Sequence, residues 1–230
     1  MPWRSALVRN QKPRPRDGVF PFLGDKQIQY VYLLVLEIPN KYRTLFHMES
    51  SFFHIYNRGV DRRDIFTIQS DYAFMVSLFD RYLSPGEAVN NNNRPYPSYR
   101  ERIRLHAFCL MPNHFHLVVE ELEPGSLPLF MQGLKIAYCK YYNLRHGRNG
   151  VLFESNYRAR QVLDSFDLQN LGRYVHLNPR DLGVDIETYA YSSLRSYLGC
   201  PPEWLETSIL LDGLHKIAHK MFHSGEMGIR

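Results

Sequence analysis

Two histidines separated by one apolar residue, His114 and His116, are the side chains of this sequence whose type and spacing best suit chemistry. In an extended strand the side chains alternate between faces, so both imidazoles point the same way while Phe115 points into a core. Two neighbouring imidazoles suit a divalent metal ion. Histidines two apart are also common on the polar face of a strand, so the pair alone leaves both interpretations open.

A tyrosine and an asparagine four residues apart, Tyr174 and Asn178, form the second candidate pair. They lie on a predicted helix, which Pro179 ends because the residue before a proline is pushed out of helical geometry. Residues four apart share one face of a helix. If that face meets the two histidines, a phenol and an amide oxygen join the imidazoles around one ion. The alternative for Tyr174 is a half-buried packing aromatic.

The elements that must position these side chains are predicted from hydrophobic periodicity and turn residues. They follow the order strand, helix, strand, strand, helix, strand, helix. That order predicts an α+β fold, a ferredoxin-like antiparallel sheet with helices packed on one face, followed by a C-terminal helical extension. The predicted elements are a strand that ends at Gly59, a helix from Asp71 to Leu83, strands over 103–110 and 116–121, a helix over 127–145, extended structure over 157–163, a helix over 166–178 and a last helix over 204–221.

The chain divides into three parts by composition. Residues 1–47 are rich in Arg and Pro and are predicted to be a poorly structured extension. A sharper hypothesis is that Met48 is the true initiator. Residues 48–200 carry the regular patterns and form the predicted folded domain, and residues 201–230 form the helical extension.

Composition excludes several classes of protein. The chain is 44% hydrophobic and 22% charged, which is ordinary for a globular protein. Its three cysteines are widely spaced and outside any Cys-x-x-Cys pattern, so neither a disulfide framework nor a cysteine zinc site is indicated. No apolar run approaches the roughly 18 residues of a spanning helix, and no signal-peptide pattern is present. We therefore expect a cytoplasmic protein with no membrane segment.

The formal net charge of +5 suggests a nucleic-acid partner, but its distribution matters more than its size. The whole excess lies in residues 1–47, and the remainder is balanced. Within that remainder one stretch is locally basic and predicts contacts to a nucleic-acid backbone, although a solvated helix face would look the same. The candidate DNA-binding residues are Lys135, Lys140, Arg145, Arg148, Arg158 and Arg160.

Five motifs in order give the chain a family resemblance. It resembles the REP-associated tyrosine transposases, which are relatives of the single-tyrosine insertion-sequence transposases among the HUH single-strand endonucleases. The resemblance runs from Met48 to the final helix and leaves residues 1–47 uncovered. The motifs are His54–Gly59 (HIYNRG), Met111–His116 (MPNHFH), Gly150–Arg158 (GVLFESNYR), Tyr174–Pro179 (YVHLNP) and Tyr191–Ser193 (YSS).

The resemblance implies roles for the candidate residues. His114, His116 and Asn178 would bind the metal and Tyr174 would be the nucleophile, with residues 48–200 as the HUH catalytic domain. The expected activity is cleavage and rejoining of single-stranded DNA, with a hairpin alongside, through a 5′-phosphotyrosine. The expected cofactor, Mg²⁺ or Mn²⁺, follows from the family, because two imidazoles also accept Zn²⁺, Ni²⁺ or Co²⁺.

Other functions remain open at this point. Another HUH enzyme, a replication initiator or relaxase, would use the same chemistry. A non-catalytic ferredoxin-like nucleic-acid-binding protein would stack bases on sheet aromatics and leave the histidines incidental. A structural zinc protein is disfavoured by the cysteine spacing. The resemblance favours a monomer over a homodimer.

Overall fold

The computed structural model describes residues 51–86, 88–90 and 92–212. The predicted extension over residues 1–47, and with it the hypothesis about Met48, lies outside the described residues. Two short 3-10 helices, Val60–Arg62 and Asn178–Leu182, accompany the regular elements. Those elements are β1 (Ser51–Arg58), α1 (Gln69–Leu83), β2 (Ile103–Met111), β3 (His114–Glu121), α2 (Ser126–Arg145), β4 (Arg158–Gln161), α3 (Ser165–Leu177) and α4 (Leu194–Tyr197).

The four strands form one sheet in the order β2-β3-β1-β4, and every neighbouring pair is antiparallel. Strands β2 and β3 form a tight hairpin. The strands that a helix connects are not neighbours in the sheet: β3 lies between β1 and β2, and β1 lies between β3 and β4. This is the ferredoxin-like arrangement, so the predicted α+β fold is confirmed. The register sets Cys109 on β2 and Tyr56 on β1 opposite His116 on β3.

The sheet is covered on both faces. Helices α1 and α2 pack on one face, where Phe79 of α1 contacts Phe108 of β2 and Tyr138 of α2 contacts Phe153, which in turn contacts Phe115 of β3. These are the two crossover helices, which the sequence predicted on a common face. Helix α3 covers the opposite face, on the side of His116. The alternation of β3 therefore divides a fully apolar layer from a layer that also holds polar side chains.

Most element boundaries differ from the sequence prediction by one or two residues, and contacts in the structure explain two of the differences. Strand β3 begins at His114 rather than His116, because Met111 pairs with His114 across a two-residue turn. The last helix begins at residue 208 rather than 204, and its predicted course beyond residue 212 lies outside the described residues. It starts later because Glu206 N donates to Leu105 O at 2.9 Å, which ties the preceding backbone to β2.

The described helices also bear on membrane association. Within residues 51–86, 88–90 and 92–212, no helix combines the length and the apolar character needed to cross a bilayer.

A buried carboxylate, Asp71, joins the start of α1 to the end of α2. Its oxygens accept from the backbone N–H groups of Thr67 at 2.8 Å and Ile68 at 3.1 Å, and His146 Nε2 lies 3.0 Å away. Burial alone would raise the pKa of this carboxyl group, but the hydrogen bonds from His146, Thr67 and Ile68 outweigh it and lower the pKa. The ionised form is thus the one that the fold stabilises.

We expect Asp71→Asn to lower the free energy of unfolding at pH 7 by about 1–3 kcal/mol, because its amide cannot satisfy all of these donors. The folded-state pKa lies below the unfolded value near 4, so the contribution of Asp71 is present above that pH and is lost as the pH falls through the folded pKa. Urea unfolding at pH 7 and pH 3 should show the gap to wild type narrowing in acid. Glu101→Gln, at an exposed carboxylate, is the control; an equal loss in both variants would contradict the assignment.

Candidate active site

The hairpin tip that carries the two histidines is held by the turn after β1. Pro112 O accepts from Ile65 N at 2.8 Å and from Phe66 N at 2.9 Å, and Asn113 O accepts from Gly59 N at 2.9 Å. These bonds leave the backbone of the tip no freedom to swing away from β1. The side chains at the start of β3 are therefore fixed at one end of the sheet.

Helix α3 is fixed in rotation by a buried polar contact. His176 is fully buried, and its Nε2 lies 2.8 Å from Ser193 Oγ, which in turn contacts the backbone of Phe108 on β2. Because His176 and Val175 face the core, Tyr174 is turned outward and remains 50% exposed. Asn178 follows the last helical residue and is buried beneath the same end of the sheet.

The structure brings the four predicted site residues together. His114 Nε2 lies 3.3 Å from Asn178 Oδ1. The rings of His114 and His116 are 5.0 Å apart and nearly perpendicular. The Tyr174 ring stands edge-on to His116, with ring centroids 5.2 Å apart. Two imidazoles from the hairpin thus meet an amide and a phenol from α3.

A third histidine, His54 on β1, belongs to the same cluster, and sequence reasoning did not include it among the site residues. Its Nε2 lies 2.9 Å from His116 Nδ1, and the two rings are stacked 5.1 Å apart. Its ring is 5.8 Å from that of Tyr174. The predicted sheet puts β1 beside β3, but the register that makes His54 a neighbour of His116 was not visible in the sequence.

The three imidazoles are kept neutral by their surroundings. Burial lowers the pKa of His116 to about 3, and burial followed by the charge of Arg160 lowers the pKa of His54 to about 4. Burial also lowers the pKa of His114, against the opposing effect of its hydrogen bond to Asn178. Neutral imidazoles keep the nitrogen lone pair that a metal ion needs.

The donor set suits a divalent ion. Two ligands at right angles, each about 2.1 Å from an ion, are roughly 3 Å apart, which is close to the 3.3 Å between His114 Nε2 and Asn178 Oδ1. Within the described residues, no three His, Cys, Asp or Glu side chains are grouped as a metal site. The candidate set therefore depends on the amide oxygen of Asn178 as well as on the two imidazoles.

A cleft of about 410 Å³ opens over these side chains and is lined by His114, His116 and Tyr174. Three arginines, Arg58, Arg62 and Arg158, line it as well, against one carboxylate, Glu154. Arg58 Nε donates to Glu154 at 3.1 Å. Across the described part of the chain, no hydrogen bond or ion pair engages the guanidinium groups of Arg62 and Arg158. The cleft therefore carries an excess of positive charge next to the histidines.

The six predicted DNA-binding side chains do not share one surface. Arg158 borders the cleft, and Lys135 reaches its edge by donating to Ser155 O at 3.0 Å. Arg160 forms a bidentate ion pair with Asp167, with distances of 2.6 and 3.1 Å. The remaining three, Lys140, Arg145 and Arg148, lie on or just after α2.

Arg58 and Arg62, which sequence reasoning left out, line the cleft beside these histidines. Arg58 ends β1, and Arg62 ends the short 3-10 helix that follows it. The signal in the sequence was the first motif, which contains Arg58 and ends three residues before Arg62.

Comparison with known proteins connects this geometry to a family. The family model described as "Transposase IS200 like" matches residues 97–178, a stretch that runs from before β2 to Asn178. A solved structure of a REP-associated tyrosine transposase bound to a REP hairpin aligns with 14% identity, 68% of this chain, 84% of that chain and a TM-score of 0.43. No curated protein matches the chain. Over residues 97–178 the family match agrees with the resemblance predicted from the motifs, whereas the first and last motifs, His54–Gly59 and Tyr191–Ser193, lie outside the matched residues.

The turn that supports the cleft should tolerate no side chain at Gly59. A Cβ there would lie 2.2 Å from Arg63 O and 2.8 Å from Ile65 Cγ2, so we expect Gly59→Ala to lower the free energy of unfolding by about 1–3 kcal/mol. Gly133 on α2 is the matched control, because its nearest neighbour is 3.7 Å away and alanine should raise stability there by about 0.5–1 kcal/mol. Urea unfolding measures both; a Gly59→Ala protein as stable as wild type would show that the turn rearranges freely.

Proposed function

We propose, from the premise that residues 97–178 match the family of IS200-like transposases, that this chain cleaves and rejoins single-stranded DNA through a covalent link to Tyr174. The observation that carries the proposal is the meeting of two elements. Tyr174 stands edge-on to His116 with ring centroids 5.2 Å apart, while Asn178, one helical turn further on, lies 3.3 Å from His114.

Two tyrosines line the cleft, and the geometry favours Tyr174 over Tyr56 as the nucleophile. Tyr174 projects from a helix end and is 50% exposed, so a phosphate can approach its oxygen. Tyr56 lies within the sheet, packed 4.9 Å from His54 and 5.9 Å from His116 by ring centroids. It also lacks a candidate metal ligand one helical turn away. Tyr56 is therefore a matched control for Tyr174.

The proposed reaction exchanges one phosphodiester for another. The Tyr174 oxygen attacks phosphorus and loses its proton, the bond from phosphorus to the 3′ oxygen breaks, and that oxygen leaves as a 3′-hydroxyl after taking up a proton. The 5′ end is then held as a phosphotyrosine, and attack by another 3′-hydroxyl reverses the step without ATP. A Mg²⁺ or Mn²⁺ ion bound by His114, His116 and Asn178 would polarise the phosphate and offset its developing charge.

The charge of the cleft supports a DNA strand as the substrate. The guanidinium groups of Arg62 and Arg158 are available for the phosphates on either side of the scissile bond. A phosphate in this cleft must contact Tyr174 and the histidines at the same time. The second strand of a duplex would hinder the entry of that phosphate, so a single strand is the better substrate. A hairpin beside the strand stays a prediction from the sequence.

The alternative of a non-catalytic nucleic-acid-binding protein is less well supported. In ferredoxin-like modules that bind RNA, exposed aromatics on an open sheet face stack the bases. Here α1 and α2 cover one face and α3 covers the other, with His116 and His54 only 6% and 8% exposed beneath it. A replication initiator or relaxase would share the proposed chemistry and differ only in its DNA target.

Tyr174→Phe should abolish covalent DNA attachment while binding persists, because it removes only the attacking oxygen. Wild type, Tyr174→Phe and the control Tyr56→Phe are incubated with Mn²⁺ and single-stranded oligonucleotides from the gene's flanks. We expect a covalent protein–DNA band in wild type and Tyr56→Phe, its loss on chelation, and none in Tyr174→Phe despite unchanged binding in a gel shift. A band that persists in Tyr174→Phe and disappears in Tyr56→Phe would assign the nucleophile to Tyr56.

Arg62→Gln and Arg158→Gln should each weaken binding to a single strand and reduce its salt dependence. On single strands the slope of log affinity against log salt changes by about 0.7 for each phosphate contact. Fluorescence anisotropy over a series of salt concentrations measures the slope for each variant. Arg100→Gln, whose guanidinium contacts Glu203 at the surface, is the control and should leave the slope unchanged. Slopes equal to wild type in both cleft variants would place the DNA elsewhere.

A further inference from the structure

We propose that His54 is a positioning residue that holds His116 with its Nε2 turned toward the metal ion. This inference rests on the proposed function, since it concerns the ion of that site. It assigns a purpose to a buried histidine that is neither a predicted ligand nor a predicted nucleophile.

The contact itself determines which nitrogen of His116 remains available. His54 Nε2 lies 2.9 Å from His116 Nδ1, and both side chains are buried. With Nδ1 occupied, only Nε2 of His116 is left to face an ion. His114 likewise has its Nδ1 occupied, 2.6 Å from Asn113 Oδ1, and presents Nε2 to Asn178. In both candidate ligands, Nδ1 is thus engaged by a neighbouring side chain and Nε2 is left for the ion.

The tautomers follow from this arrangement. An imidazole that offers Nε2 to a metal ion carries its proton on Nδ1, and that N–H needs an acceptor when it is buried. Asn113 Oδ1 supplies the acceptor for His114, and His54 Nε2 supplies it for His116. A metal-bound histidine whose other nitrogen is held in this way has a fixed ring orientation and greater basicity.

His54 is itself held in place and is not a third ligand. Its ring lies between Tyr56 at 4.9 Å and Tyr174 at 5.8 Å, which restricts its rotation. Its Nε2 is already engaged with His116. In the part of the chain that the structure describes, the histidines are not grouped as three ligands of one ion. Positioning, rather than coordination, is the role that the contacts of His54 allow.

The test compares three replacements of His54 in the full chain. His54→Gln places an amide oxygen near the position of Nε2 and keeps an acceptor for His116. His54→Phe keeps the ring and removes the acceptor. His54→Asn keeps the amide but is too short to reach His116. We expect Mn²⁺ to bind about 10–100-fold more weakly to His54→Phe and His54→Asn, and within about threefold of wild type to His54→Gln.

Two readouts separate positioning from loss of the fold. Mn²⁺ affinity is measured without DNA by electron paramagnetic resonance, and thermal unfolding is recorded for each variant. The control is His106→Gln, at a buried histidine outside the cleft whose Nε2 lies 3.0 Å from Glu120, and it should lower stability without changing Mn²⁺ affinity. Covalent DNA attachment by His54→Phe should then recover at high Mn²⁺ concentration, because the ligands are displaced and not removed.

The outcomes distinguish this inference from the proposed function. If wild type binds Mn²⁺ and forms the Tyr174 adduct while His54→Phe and His54→Asn bind Mn²⁺ equally well, the role of His54 is overturned and the proposed function stands. A His54→Gln protein that binds Mn²⁺ as weakly as His54→Phe would overturn that role as well. If wild type forms the adduct without any bound Mn²⁺, the metal site and the role of His54 are both overturned.

Discussion

Strand β3 separates two environments, because its alternate side chains face opposite sides of the sheet. Phe115 and Leu117 enter the apolar layer under α1 and α2, while His114 and His116 face α3. A shift of one residue in the pairing with β1 would exchange these two sets. Burial of the apolar set therefore holds the imidazoles on the side where Tyr174 and Asn178 arrive.

The second requirement is that α3 packs on the sheet in a single orientation about its own axis. His176 and Val175 point into the core, and the contact of His176 with Ser193 connects the helix to β2. The backbone of Gly172 lies close to Leu210 in the segment after α4, where any Cβ would meet that side chain at 3.1 Å. The described part of the C-terminal extension thus packs against the helix that carries the candidate nucleophile.

Burial of the polar cluster beneath α3 costs free energy unless its members form hydrogen bonds with one another. Neutral imidazoles reduce that cost, and each can present one nitrogen while the other is hydrogen-bonded. The hydrogen bonds fix the orientation of each imidazole in the cluster. The geometry therefore supports a reaction that needs several groups aligned on one phosphate. The arginines of the cleft complement it, since phosphate contacts fix the position of a strand without reading its sequence.

Local periodicity was enough to predict much of this protein. The order of elements predicted the ferredoxin-like sheet, the spacing of two placed His114 and His116 on one face, and the spacing of four placed Tyr174 and Asn178 on another. Each of these patterns describes a side chain relative to its own strand or helix. The family motifs supplied the idea that the two faces meet.

Only the tertiary structure decided which side chains of neighbouring elements meet. The predicted sheet puts β1 beside β3, but the sequence left the register of that pair open, and so it did not reveal that His54 contacts His116. Likewise, the basic stretch predicted from composition lies mostly along α2, whereas Arg62, which is outside that stretch, borders the cleft. Periodicity encodes the direction of a side chain within its element, but contacts between distant residues depend on strand pairing and helix packing, which burial of the whole chain determines.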